Sequence, residues 1–211
     1  MTRRKTNTIL QILAATYPDA STRLHYDNLY QLMVAVVLSA QCTDEQVNKV
    51  TPALFKHYPD INSLANADLN ELEKLINGVG LFRAKAKNLK VAAIIIQERF
   101  NGQIPDQFED LLTLPGIGRK TANVIISVGF GKPGLAVDTH VQRVANRTGM
   151  ARAKTPHQTE VQLKQNIDPK DWNQTHHLLI FHGRQICKAR NPLCDVCPIE
   201  KYCEKNLEMN K

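Results

Sequence analysis

Apolar positions recur at helical spacing along nearly the whole chain, and no segment keeps the two-residue alternation of a half-buried strand. Ile9, Leu10, Ile12 and Leu13 mark a first amphipathic helix, which Tyr17-Pro18 should end. Residues 29–40 are apolar on most sides and predict a buried central helix. Thr43, with Gln46 three residues on, has the form of a capping box and predicts a helix to about His57. Short helices are expected near 62–64 and over 68–77, the second stopped by Gly78. A basic helix bearing Lys85, Lys87 and Lys90 follows and ends at Gly102. Residues 108–114 predict a short apolar helix, and 120–128 another, apolar at Ala122, Val124, Ile125 and Val128. Thr155-Pro156 opens a later helix with proline at its first position, and 172–186 is the last long one. The fold class that this pattern predicts is all-α.

The turn between the helices at 108–114 and 120–128 carries the most chemistry. Pro115 disfavours helical backbone at Leu114, and Gly116 and Gly118 permit positive φ and a close approach of another molecule. The second helix therefore starts with free N–H groups at a glycine turn, a ready site for a phosphate. Arg119 and Lys120 sit in its first turn, where the helix dipole disfavours cations, so their presence calls for a reason. Gly118-Arg119-Lys120-Thr121 imitates the end of a Walker A loop, but the arginine intrudes and a helix, not a strand, precedes it. An ordinary helix corner without a ligand is the competing reading. Gly78-Val79-Gly80-Leu81-Phe82-Arg83 repeats the theme, either as a second close approach to a ligand or as a tight corner.

Charge narrows the partner. The 211 residues carry a net charge of +7, which favours a polyanion. Between residues 111 and 150 the cations are Arg119, Lys120, Lys132, Arg143 and Arg147, against the single acid Asp138. The basic start MTRRKTNTIL has no long apolar run behind it, and residues 29–40 are too short to span a bilayer. A cytoplasmic protein is expected, in which cysteines serve as metal ligands rather than disulfide partners. Cys187, Cys194, Cys197 and Cys203 are spaced C-x6-C-x2-C-x5-C, which a tetrahedral zinc or a [4Fe–4S] cluster could use. Only one C-x2-C knuckle is present, so the spacing leans to iron–sulfur. Cys42 reads as a small buried thiol.

The run LPGIGRKTAN, continued through Gly131-Lys132-Pro133-Gly134 to Val137-Asp138-Thr139-His140, resembles the helix-hairpin-helix motif of a large family of DNA repair glycosylases and abasic-site lyases. The cysteine spacing matches the iron–sulfur branch of that family, and the resemblance covers essentially the whole chain. It implies two helical domains: a six-helix domain over 22–132 containing the hairpin (about 108–128), and a discontinuous domain of 1–21 with 133–211, with a cluster loop at 187–203. Cys187, Cys194, Cys197 and Cys203 would hold a [4Fe–4S] cluster of structural role. The partner would be double-stranded DNA with damaged bases or abasic sites, bound by a monomer, with no membrane and a place on the nucleoid.

The same resemblance makes Lys120 and Asp138 the catalytic pair of an enzyme that removes oxidised pyrimidines and then cuts the strand 3′ to the abasic site by β-elimination. A free lysine, with pKa about 10.4, offers little neutral amine at pH 7. The helix N-terminus and Arg119 would lower that value while DNA phosphates oppose the change. Lys120 as a simple phosphate anchor is the competing role, and Asp138 would also be an N-cap. Gln41 and Leu81 are implied as wedges that fill the space of an extruded nucleotide. Pro115, Gly116, Ile117, Gly118, Arg119, His140, Arg143, Arg184, Lys188 and Arg190 are the further DNA contacts expected, with a satisfied surface histidine the competing reading of His140. A related branch that removes mismatched adenine lacks the lysine and has a further C-terminal domain. A non-catalytic DNA-binding module with a structural metal is the alternative from another class.

Overall fold

The computed structural model describes residues 1–206, and all regular elements among them are helical. Two compact units result: Arg23–Lys132, and Met1–Thr22 with Pro133–Lys211.

The terminal unit begins with α1 (Arg3–Thr16), capped by the Thr2 hydroxyl, with Ile9 and Leu13 fully buried. Tyr17 closes it at φ −126° and ψ 67°, outside the helical region that Pro18 disfavours for the residue before it.

The central unit is built on α2 (Leu29–Leu38), buried from Leu32 through Leu38. α2 stops two residues short of Ala40, because Ser39 and Ala40 turn back on Ala35 and Val37 and Gln41 takes φ 53°. α3 (Asp44–His57) starts at Thr43, whose hydroxyl accepts from the Gln46 N–H at 3.2 Å. α4 (Ile61–Ala65) carries a complete capping box between Asp60 and Ser63. α5 (Leu69–Leu75) ends at Ile76, ahead of Gly78, which is therefore not its stop. α6 (Phe82–Phe100) packs on α4 and α5 and buries Leu89, Ala93 and Ile96. Lys85 is turned inward and only 6% exposed, so α6 is not basic on every side. α7 (Phe108–Leu112) and α8 (Arg119–Val124) form the hairpin, and α8 widens into a π turn at Ile125–Gly129 that packs on α2. The π turn is a departure from the continuous helix that the sequence pattern predicts. Its wider ring shifts the register of the apolar side chains that follow.

The terminal unit resumes with α9 (Thr139–Thr148), α10 (Pro156–Asn166, capped by Thr155) and α11 (Trp172–Gln185). Leu10, Leu13, Val141, Val144, Leu163, Leu178 and Leu179 join in one core. Gly183 lets α11 approach α9: a β-carbon there would stand 3.2 Å from Val144 Cγ2 and from His140 Cβ. One-turn 3₁₀ helices at Cys194–Val196 and Glu200–Tyr202 shape the C-terminal loop.

Candidate active site and cluster loop

The hairpin turn is fastened by its own backbone and by two apolar anchors. Leu114 N–H donates to Leu111 O and Ile117 N–H to Leu114 O, each at 3.1 Å. Leu114 and Ile117 are buried, at 2% and 5% exposure. Ile117 thus holds the turn from inside, and its amide is already engaged, so any contact it makes with DNA is not through that N–H. The two glycines do different work. Gly116 has φ 83° and lies against Asn88, where a β-carbon would be 3.1 Å from Asn88 Cβ. Gly118 is extended, at φ −91° and ψ 177°, and no atom stands within 4 Å of the place its β-carbon would take. The positive φ that Gly118 permits is not used; what it offers is open space at the start of α8.

Gly116, Gly118 and Arg119 are exposed, and Pro115 and Lys120 are half-buried. The Arg119 guanidinium lies 4.9 Å from the centre of the Phe108 ring. That stacking supplies a reason for a cation in a turn whose dipole opposes it.

Asp138 caps α9: its Oδ1 accepts from the Val141 N–H at 2.8 Å, with the residue extended at φ −109° and ψ −172°. Lys120 belongs to the central unit and Asp138 to the terminal one. His140 is half-buried, and burial holds its imidazole pKa below the ordinary value; the nearby Asp138 carboxylate pulls it back up. Arg143 is not the surface contact expected of it. It is 8% exposed, and its guanidinium donates to Cys187 O at 3.1 Å and Gly183 O at 2.9 Å. Arg184, Lys188 and Arg190 are exposed. Lys132 pairs with Asp106, so the basic excess near the hairpin is smaller at the surface than in the sequence.

Gln41 and Leu81 are exposed, Leu81 by 65%, the largest share of any leucine described as an exposed apolar residue. Both are left-handed, at φ 53° and 57°, a conformation that costs a side chain about 1–2 kcal/mol. Two exposed side chains on strained backbone stand where wedges were expected, and strain of this kind gathers at functional sites.

The four C-terminal cysteines line one cavity of about 30 Å³, together with Arg147, His182, Ile186, Leu193 and Ile199. All four thiols are free, and burial pushes the Cys197 and Cys203 thiols up from their ordinary pKa, with the neighbouring sulfurs adding to it. Thiolates so placed need a strong positive partner, which an iron–sulfur core supplies. Among the described residues no three His, Cys, Asp or Glu stand close enough together to hold a single metal ion. Four cysteines around one cavity are a donor set that an iron–sulfur cluster can use.

Sequence reasoning missed the residues that hold this loop. Arg147, at 5% exposure, donates to Lys188 O at 2.6 Å and Ala189 O at 3.0 Å, with Cys187 Sγ at 3.7 Å from Nη1. Burial keeps His182 neutral, with its pKa pushed down to about 4; its Nδ1 is 3.1 Å from the Tyr17 hydroxyl and its Nε2 3.6 Å from Cys197 Sγ. The one available signal was the i, i+4 spacing of Arg143 and Arg147, which puts both on the same side of α9.

Comparison with known proteins places this geometry. The model of the HhH-GPD superfamily base excision DNA repair protein matches residues 34–169, and the iron–sulfur binding domain of endonuclease III matches residues 187–203. Endonuclease III of Synechocystis sp. is 48% identical over 202 residues, covering 95% of this chain and 92% of the relative. Endonuclease III of Bacillus subtilis is 44% identical over 196 residues, covering 92% and 90%. The solved structure of a trapped endonuclease III–DNA covalent intermediate superposes with a TM-score of 0.92 at 42% identity, covering 97% of each chain.

Proposed function

Because the chain belongs to the HhH-GPD superfamily of base excision DNA repair proteins, we infer that it is a bifunctional DNA N-glycosylase and abasic-site lyase of the endonuclease III kind, carrying a [4Fe–4S] cluster and acting on damaged duplex DNA. Oxidised pyrimidines are its substrates. The observation that carries this reading is the 0.92 TM-score to a relative trapped in a covalent complex with DNA. A trapped adduct requires a nucleophile, and Lys120 at the start of α8 is the amine in the matching motif.

The target C1′ is out of reach in a stacked duplex, so the nucleotide is extruded, and Gln41 and Leu81 fill the gap. The neutral Lys120 amine attacks C1′, the glycosidic bond breaks, and the base leaves with the bonding electron pair and takes a proton from water. Asp138 stabilises the positive charge that develops on the sugar and takes a proton from the amine. Asp138 passes that proton to O4′ as the sugar ring opens, which leaves a protonated Schiff base at C1′. Loss of a C2′ proton then expels the 3′ phosphate, and water releases the enzyme. The hairpin from Pro115 to Arg119 grips the DNA backbone, and His140, Arg184, Lys188 and Arg190 add phosphate contacts. Cys187, Cys194, Cys197 and Cys203 are the cluster ligands, and the cluster stiffens the loop that carries Lys188 and Arg190. Substrate in the genome places the enzyme on the nucleoid.

Borohydride reduction on a duplex with one oxidised pyrimidine tests this. Wild-type protein should yield a covalent adduct. Lys120→Ala should yield none and cut no strand, while its affinity for a duplex with an abasic-site analogue stays within about tenfold, since many groups share the phosphate contacts. Parallel loss of binding and cleavage would make Lys120 an anchor only.

A further inference from the structure

Lys85 joins the two turns that carry Gln41 and Leu81. Its ammonium donates to Leu38 O at 2.8 Å and to Ala40 O at 2.7 Å. Its backbone N–H donates to Leu81 O at 3.0 Å. One residue therefore holds the peptide just before Gln41 with its side chain and the carbonyl of Leu81 with its main chain. The turns also run close: a β-carbon built on Gly80 would stand 3.5 Å from Gln41 O.

A lysine is the right chemistry for that place. Leu38 ends α2, and the carbonyls at a helix C-terminus lack helical partners and carry the negative end of the dipole. A buried ammonium with three donors satisfies the last carbonyl of α2 and that of Ala40, two residues beyond it, at once. Gln41 and Leu81 both sit at positive φ, which neither side chain prefers, so their conformation must be imposed by neighbours. α6 has no side-chain cap at Leu81, and the Lys85 N–H bond to Leu81 O is the first bond of the helix, which any residue there would make; the ammonium reaches the Leu81 turn through the Gln41 turn, whose carbonyl lies against Gly80.

We propose that Lys85 is a positioning residue that sets Gln41 and Leu81 as a paired wedge for the space left by the extruded nucleotide. This rests on the glycosylase reading above. The lysine itself need not touch DNA; it acts through the two turns.

The test uses full-length, cluster-loaded protein. Lys85→Met removes the donors and keeps most of the volume. Nucleotide extrusion is read from 2-aminopurine fluorescence beside an oxidised pyrimidine in a duplex, and base excision from single turnovers. Both should fall by about tenfold or more, as misplacement near 1 Å is able to cause. Cleavage of an abasic site in single-stranded DNA needs no wedge and should hold its rate. Lys85→Arg, which keeps charge and donors, should recover part of the duplex activity. In a Gln41→Ala, Leu81→Ala background, Lys85→Met should cost nothing further. Equal losses on duplex and single strand, or full additivity with the wedge variants, would overturn the proposal and leave Lys85 a fold-holding residue. If Lys85→Met is poorly folded, Lys85→Gln is read by the same ratio of duplex to single-strand rates. An inactive wild type would sink the glycosylase reading and this inference together, whereas an active wild type with unchanged Lys85 variants would sink this inference alone.

Discussion

Arg143 Nη2 lies 3.1 Å from His140 Nδ1, one turn away on α9. A guanidinium only donates, so Nδ1 must accept and the imidazole proton sits on Nε2. The ring is thereby held in its neutral form. Protonating Nδ1 would set one donor against another.

A pH dependence follows from that arrangement. Burial is the main cause lowering the His140 pKa, Asp138 raises it, and Arg143 and Arg184 lower it further. Between the folded value and the unfolded value of about 6.5, the unfolded chain binds more protons. The stability from this group is therefore fully present above pH 6.5 and is lost as pH falls below it. His182, pushed down to about 4, acts in the same sense over the same descent. Ring-proton NMR, with His140→Gln to assign the resonance, should give a His140 midpoint below 6.5. A midpoint at or above 6.5 would contradict the assigned hydrogen bond.

Much of the architecture was legible in the residues because its signals are local. Thr43, Asp138 and Thr155 each act as the N-caps that their side chains suggest, and Pro156 sits in the first turn of α10. Burial of the cations was not legible. Arg143, Arg147 and Lys85 look like any other positive charge in the sequence, yet all three serve backbone carbonyls in the interior. Their acceptors lie on other elements: Arg147 and Lys188 are brought together only by the fold, and no periodicity encodes that. Gly118 misled for the opposite reason: a glycine allows positive φ, but here its missing side chain, not its backbone angle, is what the turn uses.

The two hairpin glycines should separate under the same substitution. Gly116→Ala forces a side chain onto φ 83° and into Asn88, so a loss of about 1–3 kcal/mol is expected. Gly118→Ala meets nothing within 4 Å on extended backbone and should melt like wild type. Its methyl group would stand where DNA approaches the start of α8, so its affinity for duplex should fall while its stability does not. Thermal melts beside duplex titrations decide this; a strongly destabilised Gly118→Ala would show that the space is not open in solution.

Arg147 should govern retention of the cluster. Arg147→Met leaves Lys188 O and Ala189 O without the guanidinium, at a cost of about 1–3 kcal/mol for each acceptor left unsatisfied. The loop around the four cysteines would then open more often. The variant should lose its brown absorbance and bound iron faster than wild type under air, and bind duplex more weakly through Lys188 and Arg190. Iron retention equal to wild type would show that the cysteines fix the loop without this clamp.

Asp138 has two roles that one pair of substitutions can pull apart. As an N-cap it needs only an acceptor oxygen for the Val141 N–H, and asparagine serves that purpose as well as aspartate. In the chemistry proposed here it needs a negative charge, which asparagine lacks. Asp138→Asn should therefore melt within about 0.5 kcal/mol of wild type yet lose base excision by about 100-fold or more, as expected when a charge aimed at the transition state is removed. Asp138→Ala should lose the cap as well, about 1 kcal/mol of stability, with no greater loss of activity than Asp138→Asn. Cleavage of a preformed abasic site should suffer less than base excision, since no base has to leave and the sugar needs no help in bearing charge. If Asp138→Asn excises bases like wild type, the carboxylate is only a cap, and the charge that assists base departure must be sought elsewhere.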